Sequence, residues 1–303
     1  MTHRPATRED MVRTAGVLFV SIAISAVISL SAASGGRVVG GVPVMVVCAL
    51  VALGIQWIAW IPASLARTER FYDLTGSLSY LTVLAVSLLG MDMREWMIRR
   101  IAVFFMVCIW AVRLGAFLFS RILNDGRDRR FDRLKDHPVR FLVPWTLQGL
   151  WVFLTSLSVL IINTRATPGE ALGALDFLGM GLWTLGWAIE VVADAQKRRF
   201  RARIGELNTW IDEGLWSYSR HPNYFGEILL WSGLACMGAS VFSGAQWLGL
   251  LSPIFVGCLL SFISGIPLLD ARAMKKWGDN PAYVAYRKRT RSLLPLPRKG
   301  SEA

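Results

Sequence analysis

Asn223 and Glu227 stand four residues apart directly after Arg220-His221-Pro222, and that order of residue types suits anion recognition at the start of a helix. Pro222 fits the first helical position, His221 can cap the turn, and the free N–H groups of that turn carry partial positive charge beside Arg220. Spacing of four places the amide of Asn223 and the carboxylate of Glu227 on one helix face. The full stretch, Gly214-Leu-Trp-Ser-Tyr218-Ser-Arg-His-Pro-Asn-Tyr-Phe-Gly-Glu227, runs into an apolar segment. Its chemistry is therefore expected at a membrane surface.

A second charged pattern lies upstream. Glu190, Asp194, Lys197 and Arg201 recur at i, i+4, i+7 and i+11, a single stripe on a helix. One reading is a ladder of ion pairs within the helix. The other is a ligand seam, with carboxylates on hydroxyl groups and Arg198 and Arg201 on phosphates.

A third group opens another apolar segment. In Phe71-Tyr72-Asp73, an acid at low dielectric beside a phenol suits polarisation of a carbonyl. An interfacial tyrosine next to a helix-capping aspartate is the competing reading. Arg113 can pair with a buried carboxylate, and Trp110, one turn earlier, suits packing.

These residues need helices in a bilayer to position them. The 303-residue chain is 54% hydrophobic, too apolar for a soluble domain of that length. Apolar stretches at about 14–33, 42–66, 72–90, 101–120, 140–162, 172–193, 223–242 and 246–268 each approach the roughly 20 residues that cross hydrocarbon. The expectation is an all-α polytopic integral membrane bundle of about eight helices, forming one domain over 1–303. The polar residues in 72–90 and 172–193 suit tilted or partly re-entrant segments. The first segment ends in Ser31-Ala32-Ala33-Ser34 but is long for a signal peptide, and it reads as an uncleaved helix. An ionisable group inside such a segment costs roughly 2.5–3.5 kcal/mol, so Asp73, Arg113, Glu190, Asp194, Glu227 and Asp270 each need a partner or a task.

The net charge of +12 is unevenly spread. Basic residues gather at 121–140, 197–220 and 272–299, and with eight spans these clusters share a side with Arg4, Arg8 and Arg13. The positive-inside rule makes that side, and both termini, cytoplasmic. The opposite connections hold Arg37 and Arg165, and the loop carrying Arg94, Arg99 and Arg100 is the one misfit. Membrane lipids are expected partners of the basic surface, nucleic acid is not, and protein partners are not specified by the pattern. Cys48, Cys108, Cys236 and Cys258 lie in apolar segments without metal-ligand spacing, which argues against disulfides and a metal site.

The stretch 214–227, Asp194 with Arg198 and Arg201, Phe71-Tyr72-Asp73 and Arg113-Leu-Gly115 carry a family resemblance. So do Ser264-Gly-Ile-Pro-Leu-Leu-Asp-Ala-Arg272 and Tyr286-Arg-Lys-Arg-Thr-Arg-Ser-Leu-Leu-Pro295. Over about 70–297 the chain resembles the bacterial DUF1295 group, related to the steroid 5-alpha-reductase family through its C-terminal domain, here about 170–297. The resemblance implies a bacterial inner-membrane enzyme that uses NADPH to reduce a carbon–carbon double bond conjugated to a ketone in a steroid-like or isoprenoid lipid. It implies a cofactor site of Glu190, Asp194, Arg198, Arg201, Tyr218, Arg220, His221, Asn223 and Glu227. The candidate catalytic group is Tyr72, Asp73, Trp110 and Arg113, with Trp110 where the family has its tyrosine. A G-x-G-x-x-G fingerprint is absent, so the cofactor is not expected on a Rossmann domain. A membrane methyltransferase of the isoprenylcysteine or phospholipid type, using S-adenosylmethionine, shares the Arg-His-Pro-x-Tyr-x-Gly run and is the alternative enzyme. A lipid-binding or transporter-like bundle is the non-enzymatic one; it would need paired polar positions in two similar halves, which the sequence lacks.

Overall fold

The first helix, α1 (Arg8–Ala32), starts where Thr7 and Asp10 exchange side-chain and backbone hydrogen bonds, satisfying N–H groups that the first turn leaves open. The computed structural model describes residues 7–92, 98–126, 128, 130–167, 171–205 and 207–297. Arg4 and Arg94, counted in the charge bias, lie outside them. Helices α2 (Val44–Leu65), α3 (Tyr72–Val86), α4 (Ile98–Asp125), α5 (Pro138–Thr164), α6 (Ala174–Ile204) and α7 (Pro222–Ala239) follow. Then come α8 (Leu251–Cys258), α9 (Ile266–Trp277) and α10 (Pro281–Arg289). The described strand structure is one two-residue hairpin, Val38–Val39 with Val42–Pro43. Pro138, Pro222 and Pro281 each stand at the first position of a helix, where the missing N–H costs nothing.

The chain is an all-α polytopic membrane protein. Every expected apolar stretch carries helix. Among the described residues, six segments are long and apolar enough to cross a membrane: Arg8–Ala32, Val44–Leu65, Ile98–Ser120, Pro138–Thr164, Ala174–Ile204 and Gly244–Trp277. The 15-residue α3 is about 22 Å long against a hydrocarbon thickness of about 30 Å. The 18-residue α7 spends its first turns on Pro222, Asn223 and Glu227. Phe19, Ile58, Phe105 and Val112 are exposed, which suits contact with lipid.

Two compact units are distinguished: Met1–Gly173 with Gly238–Leu251, and Ala174–Met237 with Ser252–Ala303. In the first, α5 is the buried core and packs against α1, α2, α3 and α4. Since lipid is as apolar as leucine, such packing depends on close approach and interhelical hydrogen bonds. Gln56 donates to Ser79 Oγ at 2.8 Å, and Trp57 donates to Thr146 Oγ1 at 3.0 Å.

One end of this unit is held by buried arginines. Arg37 donates to the carbonyl oxygens of Ser87, Leu89, Asn163 and Arg165 at 2.7–3.1 Å. Arg100 reaches Arg165 O at 2.7 Å and Thr167 O at 3.2 Å, while Arg99 reaches Ala171 O at 3.2 Å. Arg165 donates to Val241 O and to Gln246 Oε1. Helix C-termini leave carbonyls without intrahelical partners, and guanidinium groups satisfy several at once. Arg99 and Arg100, the misfit in the charge bias, are therefore buried packing groups with a task of their own.

Candidate functional site

In the second unit, α6 and α7 run antiparallel and touch through glycines. Gly179 and Gly186 on α6 oppose Gly233 and Gly226 on α7, respectively. A Cβ added to Gly226 would lie 2.5 Å from Gly186 O and 2.8 Å from Glu190 N; one added to Gly233 would lie 2.5 Å from Gly179 O. Backbone meets backbone, so only glycine fits. The contact continues into polar residues: Glu190 is buried, and Asn223 Nδ2 donates to Asp194 Oδ1 at 3.3 Å. Asp194 and Asn223, which the family resemblance implies in one site, are thus brought together. Glu227 lies one turn beyond Asn223 and is partly buried.

The loop before α7 is clamped to α6. Gly214 has φ +60°, and a side chain there would collide with Gln196, whose Oε1 accepts from Leu215 N at 2.9 Å. Trp216 Nε1 donates to Ala193 O at 3.0 Å, and the Lys197 ammonium sits 4.6 Å from the centre of the Trp216 ring. Tyr218, Arg198 and Arg201 are exposed.

Pro222 opens α7, but the His221 ring does not cap it. The ring stacks on Tyr224 and places Nε2 3.3 Å from Asp270 Oδ1. Asp270, on α9, also accepts from Arg220 Nη1 at 3.0 Å and from Arg287 Nη2 at 3.2 Å. One carboxylate thus joins two guanidinium groups and an imidazole. Burial pushes His221 below its ordinary pKa; Asp270 opposes that shift, and the Lys197 and Arg220 charges add to it. Arg220 Nε is buried and has no hydrogen-bond partner among the described residues. Asp270 and Arg287 were missing from the expected site. The sequence signal was an acid in an apolar segment, yet its partners lie 50 and 17 positions away.

The candidate catalytic residues belong to the first unit. The Tyr72 hydroxyl donates to Pro144 O at 2.9 Å, and its ring packs on Phe131 and Trp145 at centroid distances of 4.7 and 5.1 Å. Asp73 lies 3.6 Å from Arg130, itself bonded to Asp128, whose N–H donates to Glu69 Oε1. Much of the basic 121–140 cluster is therefore paired internally, including Lys135 with Glu69 and Arg140 with Asp10. Trp110 is fully buried, edge-on to Tyr80 at 5.0 Å, two turns along α3 from Tyr72. Arg113, one turn on, is partly buried. A groove of about 840 Å³ opens between α1 and α5, with Asp10 and Arg140 at its polar end and Val17, Val20, Leu147 and Leu150 along its apolar part. None of the four candidate catalytic residues lines it.

Because the Tyr72 phenol is committed to Pro144, Tyr72→Phe is expected to cost about 1 kcal/mol of stability. Thermal unfolding in detergent checks this. An unchanged midpoint would show that the hydroxyl is available for other work.

No curated protein and no solved structure matches the chain. The family model described as a protein of unknown function, DUF1295, matches residues 59–290, a span that takes in α3 to α10 and both groups of candidate residues. The chain belongs to the DUF1295 family.

Proposed function

We propose that the protein is an NADPH-dependent reductase of a carbon–carbon double bond conjugated to a ketone, acting on a steroid-like or isoprenoid lipid. The observation that carries this reading is the polar constellation at the α6–α7 contact. The Asp194–Asn223 pair lies at the end of a glycine seam, next to the Arg220–His221–Asp270 cluster.

The donor set suits a phosphate-bearing dinucleotide. Arg198 and Arg201 present exposed guanidinium groups, and the buried Nε of Arg220 remains as a donor after Asp270 has taken the other end. Pairing with Asp270 offsets much of the Arg220 charge, so the exposed arginines are assigned the larger share of phosphate binding. Asn223, Glu190, Asp194 and Glu227 would hold amide and hydroxyl groups, with Tyr218 and His221 closing the site. NADPH supplies the hydride in this chemistry.

For the enone carbonyl, the chain offers Tyr72 and Asp73. Asp73 faces Arg130 as an ion pair, so Tyr72 is the donor of the two, provided its hydroxyl leaves Pro144. A hydrogen bond to the carbonyl oxygen would stabilise the developing enolate, and Trp110 and Arg113 would form the wall behind it. In this scheme the 197–220 and 272–299 clusters face the cytoplasm, with both termini on that side and the protein in a bacterial inner membrane.

The test is NADPH oxidation by purified protein on a reducible enone, followed by nicotinamide absorbance. Arg201→Ala is expected to weaken NADPH binding about tenfold, since a charge-assisted contact contributes about 1.5–3 kcal/mol. Equal binding in a folded variant would remove Arg201 from the site. Binding of S-adenosylmethionine in place of NADPH would instead assign a methyltransferase.

A further inference from the structure

Beyond α10 the chain forms a strap. Arg220 N donates to Arg291 O at 2.9 Å, and Ser219 Oγ donates to Leu293 O at 2.8 Å, which fixes residues 291–293 against the start of α7. Thr290 N bonds to Tyr286 O, and the Tyr286 hydroxyl in turn bonds to Trp216 O at 3.0 Å. Beside the strap lies an open pocket of about 470 Å³ lined by Arg287, Lys288, Thr290, Arg291, Ser292 and two leucines.

The lining has three cations, two hydroxyl side chains and no carboxylate. Basic residues at the end of α10 offset its dipole, but that does not account for the whole group. Arg289 is paired with Asp212 and Arg287 with Asp270, whereas Lys288 and Arg291 form no ion pair among the described residues. Arg291 also lies beyond the helix. Thr290 is 3% exposed, and its Oγ1 has no hydrogen-bond partner among the described residues. A buried hydroxyl left open is unfavourable unless something completes it.

The geometry points to a phosphate-binding pocket formed by Lys288, Thr290, Arg291 and Ser292, with Arg287, bonded to Asp270, also in its lining. A phosphate oxygen accepts from both cations, with the Thr290 hydroxyl beside them, and the strap fixes the backbone that carries these residues. The group bound is a phosphate ester or a free phosphate. The inference stands apart from the reductase reading, because Lys288 and Arg291, the residues that test it, are not among those assigned to NADPH.

The experiment uses the full chain purified in neutral detergent, with inorganic pyrophosphate by calorimetry as the soluble arm. The lipid arm compares nanodiscs of phosphatidylcholine alone with nanodiscs containing phosphatidylglycerol, and lipid retained after extraction is read by native mass spectrometry. Pyrophosphate binding weakened about tenfold in Lys288→Ala/Arg291→Ala assigns a free phosphate. Selective retention of phosphatidylglycerol, lost in the same variant, assigns a lipid headgroup, and a response in both arms supports the shared chemistry. Thr290→Val, which keeps the shape and removes the hydroxyl, is expected to weaken binding in whichever arm responds. The proposal is overturned if the wild-type protein binds neither probe, or if the double variant retains wild-type binding in the responding arm.

Discussion

Asp270→Asn is expected to lower stability by about 3 kcal/mol, the low end of the roughly 3–5 kcal/mol seen when one partner of a buried ion pair is removed. The low end applies because the Asp270 side chain is 17% exposed. The loss arises mainly from what remains: Arg220, whose side chain is 12% exposed, keeps its charge without a counterion, and Arg287 and His221 lose their common acceptor. Thermal unfolding in detergent measures it. Asp212→Asn is the control, since the Asp212–Arg289 pair is 3.4 Å long and about half exposed, and such pairs contribute about 0–1 kcal/mol. Equal effects of the two substitutions would remove Asp270 from its place as the centre of the cluster.

The pH dependence has a definite sign. Burial lowers the pKa of His221 below its ordinary value of about 6.5, so between the folded and unfolded values the unfolded chain binds more protons. The contribution of His221 is complete above about 6.5 and declines as pH falls toward the folded value. In Asp270→Asn the hydrogen bond and charge that oppose the shift are gone, while Lys197 and Arg220 still repel an imidazolium. The decline should then extend to lower pH and become larger.

What the sequence shows of this protein is what depends on neighbours along the chain. Helix starts at Pro138, Pro222 and Pro281 follow from local backbone chemistry, and the apolar stretches become helices because lipid demands internally bonded backbone. Asp194 and Asn223 were grouped only through the family resemblance, and their hydrogen bond joins consecutive helices. The long-range parts were not accessible. Asp270 gathers partners from two other stretches of chain, and Arg37 reaches carbonyls 50 and 126 positions away. Tyr72 looked like a free phenol because nothing near it in sequence reveals the Pro144 carbonyl, 72 residues on. The glycine seam was also missed: its spacing of seven on both helices is a helical repeat, but glycine carries no side chain to mark a face.

That seam yields the most discriminating expectation, because two glycines on neighbouring helices should respond with opposite signs. Gly226→Ala places a methyl group 2.5 Å from Gly186 O and 2.8 Å from Glu190 N, both backbone atoms that cannot swing aside. Alanine's higher helix propensity contributes about 0.5–1 kcal/mol, and overpacking a close backbone contact costs about 1–3 kcal/mol or more. The net effect is destabilising, and Gly226→Val exaggerates it. On α6, Gly181 has nothing within 4 Å of an added Cβ, so Gly181→Ala carries only the propensity gain and should stabilise. Separation of α6 from α7 by even an ångström would also stretch the 3.3 Å Asn223–Asp194 hydrogen bond beyond its working range. Under the proposed function, Gly226→Ala should therefore lose NADPH affinity along with stability, whereas Gly181→Ala should leave affinity unchanged. If both substitutions raise the melting temperature, the two helices do not meet through their glycines, and the polar pair beyond them loses its support.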